Sequence, residues 1–180
     1  MPLCEAREGD DTDDLNVSLW ERRRELISEW LKSICEDDID QSVADIDLSD
    51  RRPESIVLSL LCSGRVEDAV EVAERAHLYR LAMLLSQAGG DDEVRVMLDN
   101  QLVLWEDNDA TEFMSEDMLS VYKILGGKYD EEMDKLKSVL APLDWSNAIG
   151  VLFWYCNSSM GKLSDALEVF HQVRSSNEYI

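Results

Sequence analysis

Between residues 53 and 174 apolar side chains return at steps of three and four, and glycine punctuates the runs at 64, 89–90, 126–127 and 161. That period marks one buried face of an α-helix, and glycine accepts the left-handed backbone at which helices end. A chain written this way folds into short helices that turn back on one another. Pro53 opens the first of them and Gly64 ends it, because proline suits a first helical turn. Val66, Ala69, Val70, Ala73 and Ala76 then form a stripe of small residues that lets a neighbour approach closely. Leu78, Leu81, Ala82, Leu84, Leu85 and Ala88 run up to Gly89 and Gly90. Asp91 is placed to cap the next helix, with Asp92 and Glu93 in its first turn. Its inward stripe reads Val94, Met97, Leu98, Gln101, Leu102 and Trp105, so Leu102 and Trp105 are expected in the core. Ser115 caps a further helix with Met118, Val121, Tyr122 and Leu125 inside, and Gly126-Gly127 closes it. Each glycine pair is expected to hold a residue at positive φ. Met133, Leu136 and Leu140 mark a helix stopped by Pro142.

Two segments are more apolar. Over 15–35, Leu19, Trp20, Leu26, Ile27, Trp30, Leu31 and Ile34 make one broad stripe. Over 144–156, Trp145, Ala148, Ile149, Leu152, Phe153 and Cys156 make another, and Val151, Trp154 and Tyr155 cover the opposite side. A helix apolar all round is buried on all sides or faces a partner. Val151, Trp154 and Tyr155 are therefore the candidate protein-binding residues, expected to be unusually exposed unless the first helix folds back over them. A last helix, 162–174, buries Leu163, Ala166, Leu167 and Phe170. The count is about nine helices with no strand: an all-α fold of stacked antiparallel helices. A faint repeat supports stacking, since GRVEDAVEV at 64–72 returns as GKLSDALEV at 161–169, with a poorer copy, GKYDE, at 127–131.

The formal net charge of −22 is concentrated. Residues 1–14 carry six acids and one base, residues 36–50 seven acids and no base, and residues 106–117 six acids and no base. Only −4 is left for the rest, so the organisation reads as an acidic flexible N-terminus (1–14) before one helical module (15–180) with acidic connections near 36–50 and 106–117. Direct binding to nucleic acid is disfavoured, because phosphate contacts need Lys and Arg. No apolar run reaches the roughly 18 residues of a membrane span, and the first residues lack the pattern of a signal peptide. Cys4, Cys35, Cys62 and Cys156 show no CxxC spacing and read as reduced thiols of a cytosolic or nuclear protein.

Chemistry is not legible anywhere. His77 and His171 stand apart at helix edges, and no cysteine or histidine has metal-ligand spacing. Asp38, Asp40 and Ser42 begin like a calcium loop, but Val43 replaces its glycine and Ser49 its closing glutamate. From Asp107 the closing position falls on Met118. No P-loop, GxGxxG or GxSxG is present. Neither a catalytic site nor a cofactor is expected.

The stretch 64–105 goes further than a fold class. GRVEDA at 64–69, YRLAMLLSQAGG at 79–90 and QLVLW at 101–105 resemble the nucleoporin 96 family of scaffold nucleoporins, and the likeness extends over roughly 18–174. It continues upstream in Trp30-Leu31 and the 54–62 helix, and downstream in LGGK at 125–128, LDW at 143–145, Trp154-Tyr155 and LSDAL at 163–167. The resemblance implies an α-solenoid that folds back on itself, the ancestral coatomer element, here its crown and part of its trunk. It implies a structural subunit of the Y-shaped coat of the nuclear pore complex, at the nuclear envelope, supporting nucleocytoplasmic transport. The family binds a β-propeller subunit shared with the COPII coat through N-terminal strands, and nucleoporin 107 through C-terminal tail helices. Neither region is evident in this sequence. The autoproteolysis that releases family members belongs to the upstream half of their precursor. A COPII-like vesicle-coat scaffold and a tetratricopeptide-like cytosolic adaptor are the alternatives; the adaptor would line its concave face with regularly spaced Asn, Lys and Arg, which this sequence does not show.

Overall fold

The computed structural model describes residues 10–35, 52–90, 92–127, 133–156 and 161–177. Among them are nine α-helices and no strand. They are α1 (Asp10–Cys35), α2 (Pro53–Cys62), α3 (Val66–Arg75), α4 (Tyr79–Leu85), α5 (Asp92–Asp107), α6 (Glu116–Leu125), α7 (Met133–Leu140), α8 (Trp145–Val151) and α9 (Leu163–Asn177). A 3₁₀ turn, Ala110–Phe113, lies between α5 and α6, and a π-helical turn, Leu152–Cys156, extends α8. The acidic segment 36–50 and Asp91 fall outside the described residues. The helix α1 starts at Asp10, taking in part of the acidic N-terminal stretch.

The helix α2 is the axis of the stack. Its Ile56, Val57, Leu60 and Leu61 are buried on more than one side, against α3, α6 and α8. The small stripe of α3 does what its composition implies: Ala69 and Ala73 have no exposed surface, and α2 and α4 both pack onto this helix. The two copies of the repeat play equivalent parts. Ala166 in α9 is as fully buried as Ala69 in α3. The acid of each copy secures its helix start: Arg65 donates to Asp68 at 2.6 Å, and the Lys162 N–H donates to Asp165 at 2.9 Å.

The helix ends follow the sequence in most places. Pro53 is in the first turn of α2, and the Met118 N–H donates to Ser115 Oγ at 3.2 Å as the cap of α6. Gly64 and Gly89 take the left-handed conformation, at φ +75° and +73°. The second glycine pair does not: positive φ is confined to Gly64 and Gly89 among the described glycines, and Gly126 has φ −88°. There the need is for space, since a Cβ on Gly126 would stand 3.3 Å from Leu98 Cβ and one on Gly127 3.0 Å from Cys156 Sγ.

Helix α5 is rotated from the expected stripe. Arg95, Leu98 and Leu102 are buried, Trp105 is half-buried against Tyr122 in an edge-to-face contact at 4.9 Å, and Met97 and Gln101 face solvent. A helix with apolar residues on two sides has no single reading by period. The 15–35 stripe divides in the same way. Leu31 and Cys35 are buried and Ile27 is partly so, while Leu19, Leu26 and Trp30 lie on the solvent side.

Candidate functional site

The most elaborate polar and apolar junction is where α1 lies across the end of α8. Trp154 sits at its centre. Its indole N–H donates to Ser28 Oγ of α1 at 2.9 Å. Its six-membered ring occupies a slot that exists only because two residues lack side chains. A Cβ on Gly64 would come within 2.9 Å of the ring, and one on Gly150 within 2.5 Å. Gly89 rests on the Trp154 carbonyl, 2.9 Å from where its own Cβ would be. Three glycines from three separate helices or turns thus converge on one tryptophan.

The neighbouring residues complete the junction. Arg24 of α1 donates to the Phe153 carbonyl at 2.9 Å and to the Gly161 carbonyl at 3.2 Å, and its guanidinium lies 4.5 Å from the centre of the Phe153 ring. Carbonyls in the last turn of a helix lack intrahelical donors, and a cation there also meets the negative end of the helix dipole. The hydroxyl of Tyr155 donates to the Leu61 carbonyl at 2.9 Å, tying α8 to the end of α2. The π turn, a geometry that widens the helix by one residue, lets Phe153, Trp154 and Tyr155 each reach a different neighbour.

This overturns the exposure expected of the candidate residues. Val151 and Tyr155 are buried, and Trp154 is partly buried under α1. The first helix folds back and closes this side from within. Trp145, assigned to the inward stripe, is instead 50% exposed at the start of α8. The role of Ser28 and Arg24 was not legible: both fall among the polar residues of an amphipathic helix, and the only signal for them is a glycine at 64, 89 and 150, which becomes meaningful once those positions meet.

The titratable groups support packing, not chemistry. Burial pushes the Cys62 thiol up to about 12, with Cys35 nearby adding to the shift. Burial likewise raises Cys156 to about 12, against the opposing influence of Arg95. The phenol of Tyr155 is raised by burial and by the two thiols beside it. Thiols so held are poor nucleophiles, because reactivity belongs to the thiolate. His77 stands in the turn before α4 at φ +60°, exposed, with Nδ1 2.9 Å from the Tyr79 hydroxyl, and His171 lies beside the Phe170 ring. Among the described residues no three His, Cys, Asp or Glu side chains form a group able to hold a metal ion, and no helix is long and apolar enough to cross a membrane.

On the outside, apolar side chains remain uncovered on several helices, among them Leu19, Leu26 and Trp30 on α1, Tyr79 and Met83 on α4, Met97 and Leu104 on α5, Trp145 on α8 and Leu167 on α9, with Phe113 on the 3₁₀ turn. Stacked helices, a closed interior and apolar side chains left on the surface define an all-α solenoid module. The family description of nuclear protein 96 (Nup96) matches residues 55–179, and the chain belongs to that family. It is similar to the nuclear pore complex protein Nup98-Nup96 of Drosophila melanogaster, 24% identical over 157 residues, which are 87% of this chain and 8% of the fly protein. It is also similar to the nuclear pore complex protein NUP96 of Arabidopsis thaliana, 30% identical over 135 residues, 74% of this chain and 12% of the plant protein. The matched region is thus a small part of each of these relatives.

Proposed function

We propose that this chain is a structural component of the nuclear pore complex, at the nuclear envelope, that works by binding other proteins and so supports nucleocytoplasmic transport. The observation that carries the reading is the family match over 55–179 on a stack of helices whose interior is spent on packing. The tryptophan junction fits a scaffold: its arginine, serine and glycines lock one helix onto the stack. The partners are other scaffold nucleoporins; the β-propeller subunit shared with COPII and nucleoporin 107 would be bound through regions of the protein not evident in this sequence, and no enzymatic step, cofactor or direct nucleic-acid contact is assigned to the chain. The test is to tag the full-length protein in its own cells, image it and identify what purifies with it. Rim staining of the nucleus together with other pore subunits is the expected result. Punctate staining with vesicle-coat partners would overturn the reading in favour of a COPII-like scaffold.

A further inference from the structure

We infer that the groove where α3 turns into α4 beside α6 is a docking site for an extended segment of another protein, one in which a large apolar side chain is flanked by Asp or Glu. The inference deepens the proposed function, because it rests on the chain working through protein contacts.

The groove follows from how α3 ends. There the His77 N–H donates to the Glu74 carbonyl at 3.0 Å, and the Leu78 N–H to the Ala73 carbonyl at 2.8 Å. The end of α2 closes in the same way: the Gly64 N–H donates to the Leu61 carbonyl at 3.0 Å and the Arg65 N–H to the Leu60 carbonyl at 2.9 Å. This closure holds one residue in the left-handed conformation, where glycine is the usual choice. At α2 that residue is Gly64, at φ +75°; at α3 it is His77, at φ +60°. A side chain costs something in that conformation, and here it brings an imidazole to the groove. Leu78, Leu81, Met118 and Tyr122 are the apolar lining of a space of about 450 Å³. Trp105 holds the Tyr122 ring in an edge-to-face contact at 4.9 Å. Such a volume suits a few side chains of an extended chain, not a helix about 10–12 Å across. Tyr79, also in the lining, is 60% exposed, and Met83, one turn further along α4, is 68% exposed, so apolar surface continues out of the groove.

Charge then selects the occupant. The lining holds one guanidinium, Arg80, one imidazole, His77, and no carboxylate. Arg80 is exposed and makes no ion pair or hydrogen bond among the described residues. Glu116 and Asp117, in the first turn of α6, lie outside the lining and do not pair with it. Its charge is felt inside: burial raises the Tyr122 phenol, and Arg80 opposes that shift. His77 Nδ1 is 2.9 Å from the Tyr79 hydroxyl. When that hydroxyl donates to Nδ1, Nε2 carries the hydrogen and becomes a further donor. Donors beside an apolar lining recognise a carboxylate next to an apolar side chain, whereas a basic segment would meet Arg80 with like charge. Salt screens charges beyond about 10 Å, so the lining outweighs the net charge of −22.

The probe is a short fluorescein-labelled peptide, a phenylalanine flanked by glutamates in a glycine–serine frame. Binding to the whole 180-residue chain is read by fluorescence anisotropy. One control peptide replaces the glutamates by lysines, and the other replaces the phenylalanine by serine. The glutamate peptide should bind saturably and one to one, and each control about tenfold more weakly or worse, which is 1.4 kcal/mol or above. Arg80→Glu should reverse the preference, losing the glutamate peptide and gaining the lysine one, with helical circular dichroism unchanged. His77→Gly should weaken binding while leaving the melting temperature unchanged or higher, because glycine suits the left-handed position better. Leu19→Ser with Leu26→Ser, a loss of apolar surface on α1, should leave binding unchanged. Failure of the glutamate peptide to bind, equal binding of either control, or indifference to either groove variant overturns the inference. So does concentration-dependent self-association that Arg80→Glu abolishes, which would assign the groove to a second copy. None of these outcomes alters where the full-length protein localises, so the proposed function stands or falls separately.

Discussion

The junction around Trp154 and the outer face of α5 are both rich in apolar residues at helical spacing, yet one is closed and the other open. What separates them is the presence of glycine. At the junction Gly64, Gly89 and Gly150 remove the side chains that would hold neighbours apart, and Ser28 and Arg24 satisfy the polar groups that closure would strand. The α5 face has no glycine in its helix, and its spine of Glu93, Asn100 and Asp107 stays in reach of water. Apolarity thus says that a surface can be covered, whereas the small residues and polar counterparts say that it is covered from within.

The largest effect is expected at Trp154. Trp154→Ala removes the ring from its glycine slot and should cost about 3–5 kcal/mol in urea unfolding, the range for large aromatic truncations. Trp154→Glu should fail to fold. A loss below about 1 kcal/mol for the alanine variant would mean that α1 does not close the junction. Gly150→Val tests the same slot from the other side, because its side chain would overlap the ring.

Arg24 tests whether polar closure contributes as much as shape. Arg24→Ala forfeits two charge-assisted hydrogen bonds and the stack on Phe153, and should cost about 2 kcal/mol. Ser28→Ala, losing the indole bond alone, should cost about 1 kcal/mol. If the two variants were equal, the bonds to Phe153 and Gly161 would carry nothing beyond a generic contact.

The buried thiols give a pH signature confined to the closed region. Cys62 and Cys156 are raised from the usual 9 to about 12, so above pH 9 the unfolded chain loses protons that the folded chain retains. Stability is therefore full below pH 9 and falls as pH rises toward 12. At pH 10 each thiol should remove about 1 kcal/mol, and Cys156→Ala should flatten the slope. A slope unchanged in that variant would take Cys156 out of the account.

Much of the fold was legible in the sequence, and the reason is local. Pro53, Gly64, Gly89 and Ser115 set helix ends through their own backbone or side-chain chemistry, and each does so in the structure. Rotation about a helix axis was less legible. In α5, Met97 and Leu98 are adjacent and both apolar, and only the packing of the helix on its neighbours, where Gly126 approaches Leu98, shows that one is buried and the other exposed. The candidate site was legible as residues but not as exposure. Val151 and Tyr155 are buried inside the chain, Trp154 packs on α1 and Tyr155 bonds to the end of α2, and nothing local to 151–155 announces a helix more than a hundred residues away.

The smallest effect is expected on the open side. Met97→Ser with Leu104→Ser should change stability by no more than about 0.5 kcal/mol, because surface substitutions away from packed features rarely do more. Leu102→Ala, two residues from Leu104 on the same helix but 2% exposed, should cost about 2–5 kcal/mol. The contrast is informative because helix propensity works against it: serine is a poorer helix former than leucine or methionine, by a few tenths of a kcal/mol each, so the double variant already carries a small penalty unrelated to packing. A measured loss beyond about 1 kcal/mol would show that Met97 and Leu104 are covered by the chain itself. In that case α5 would be a second closed junction, and its acidic spine would have to be satisfied from within, as Arg24 and Ser28 satisfy the first.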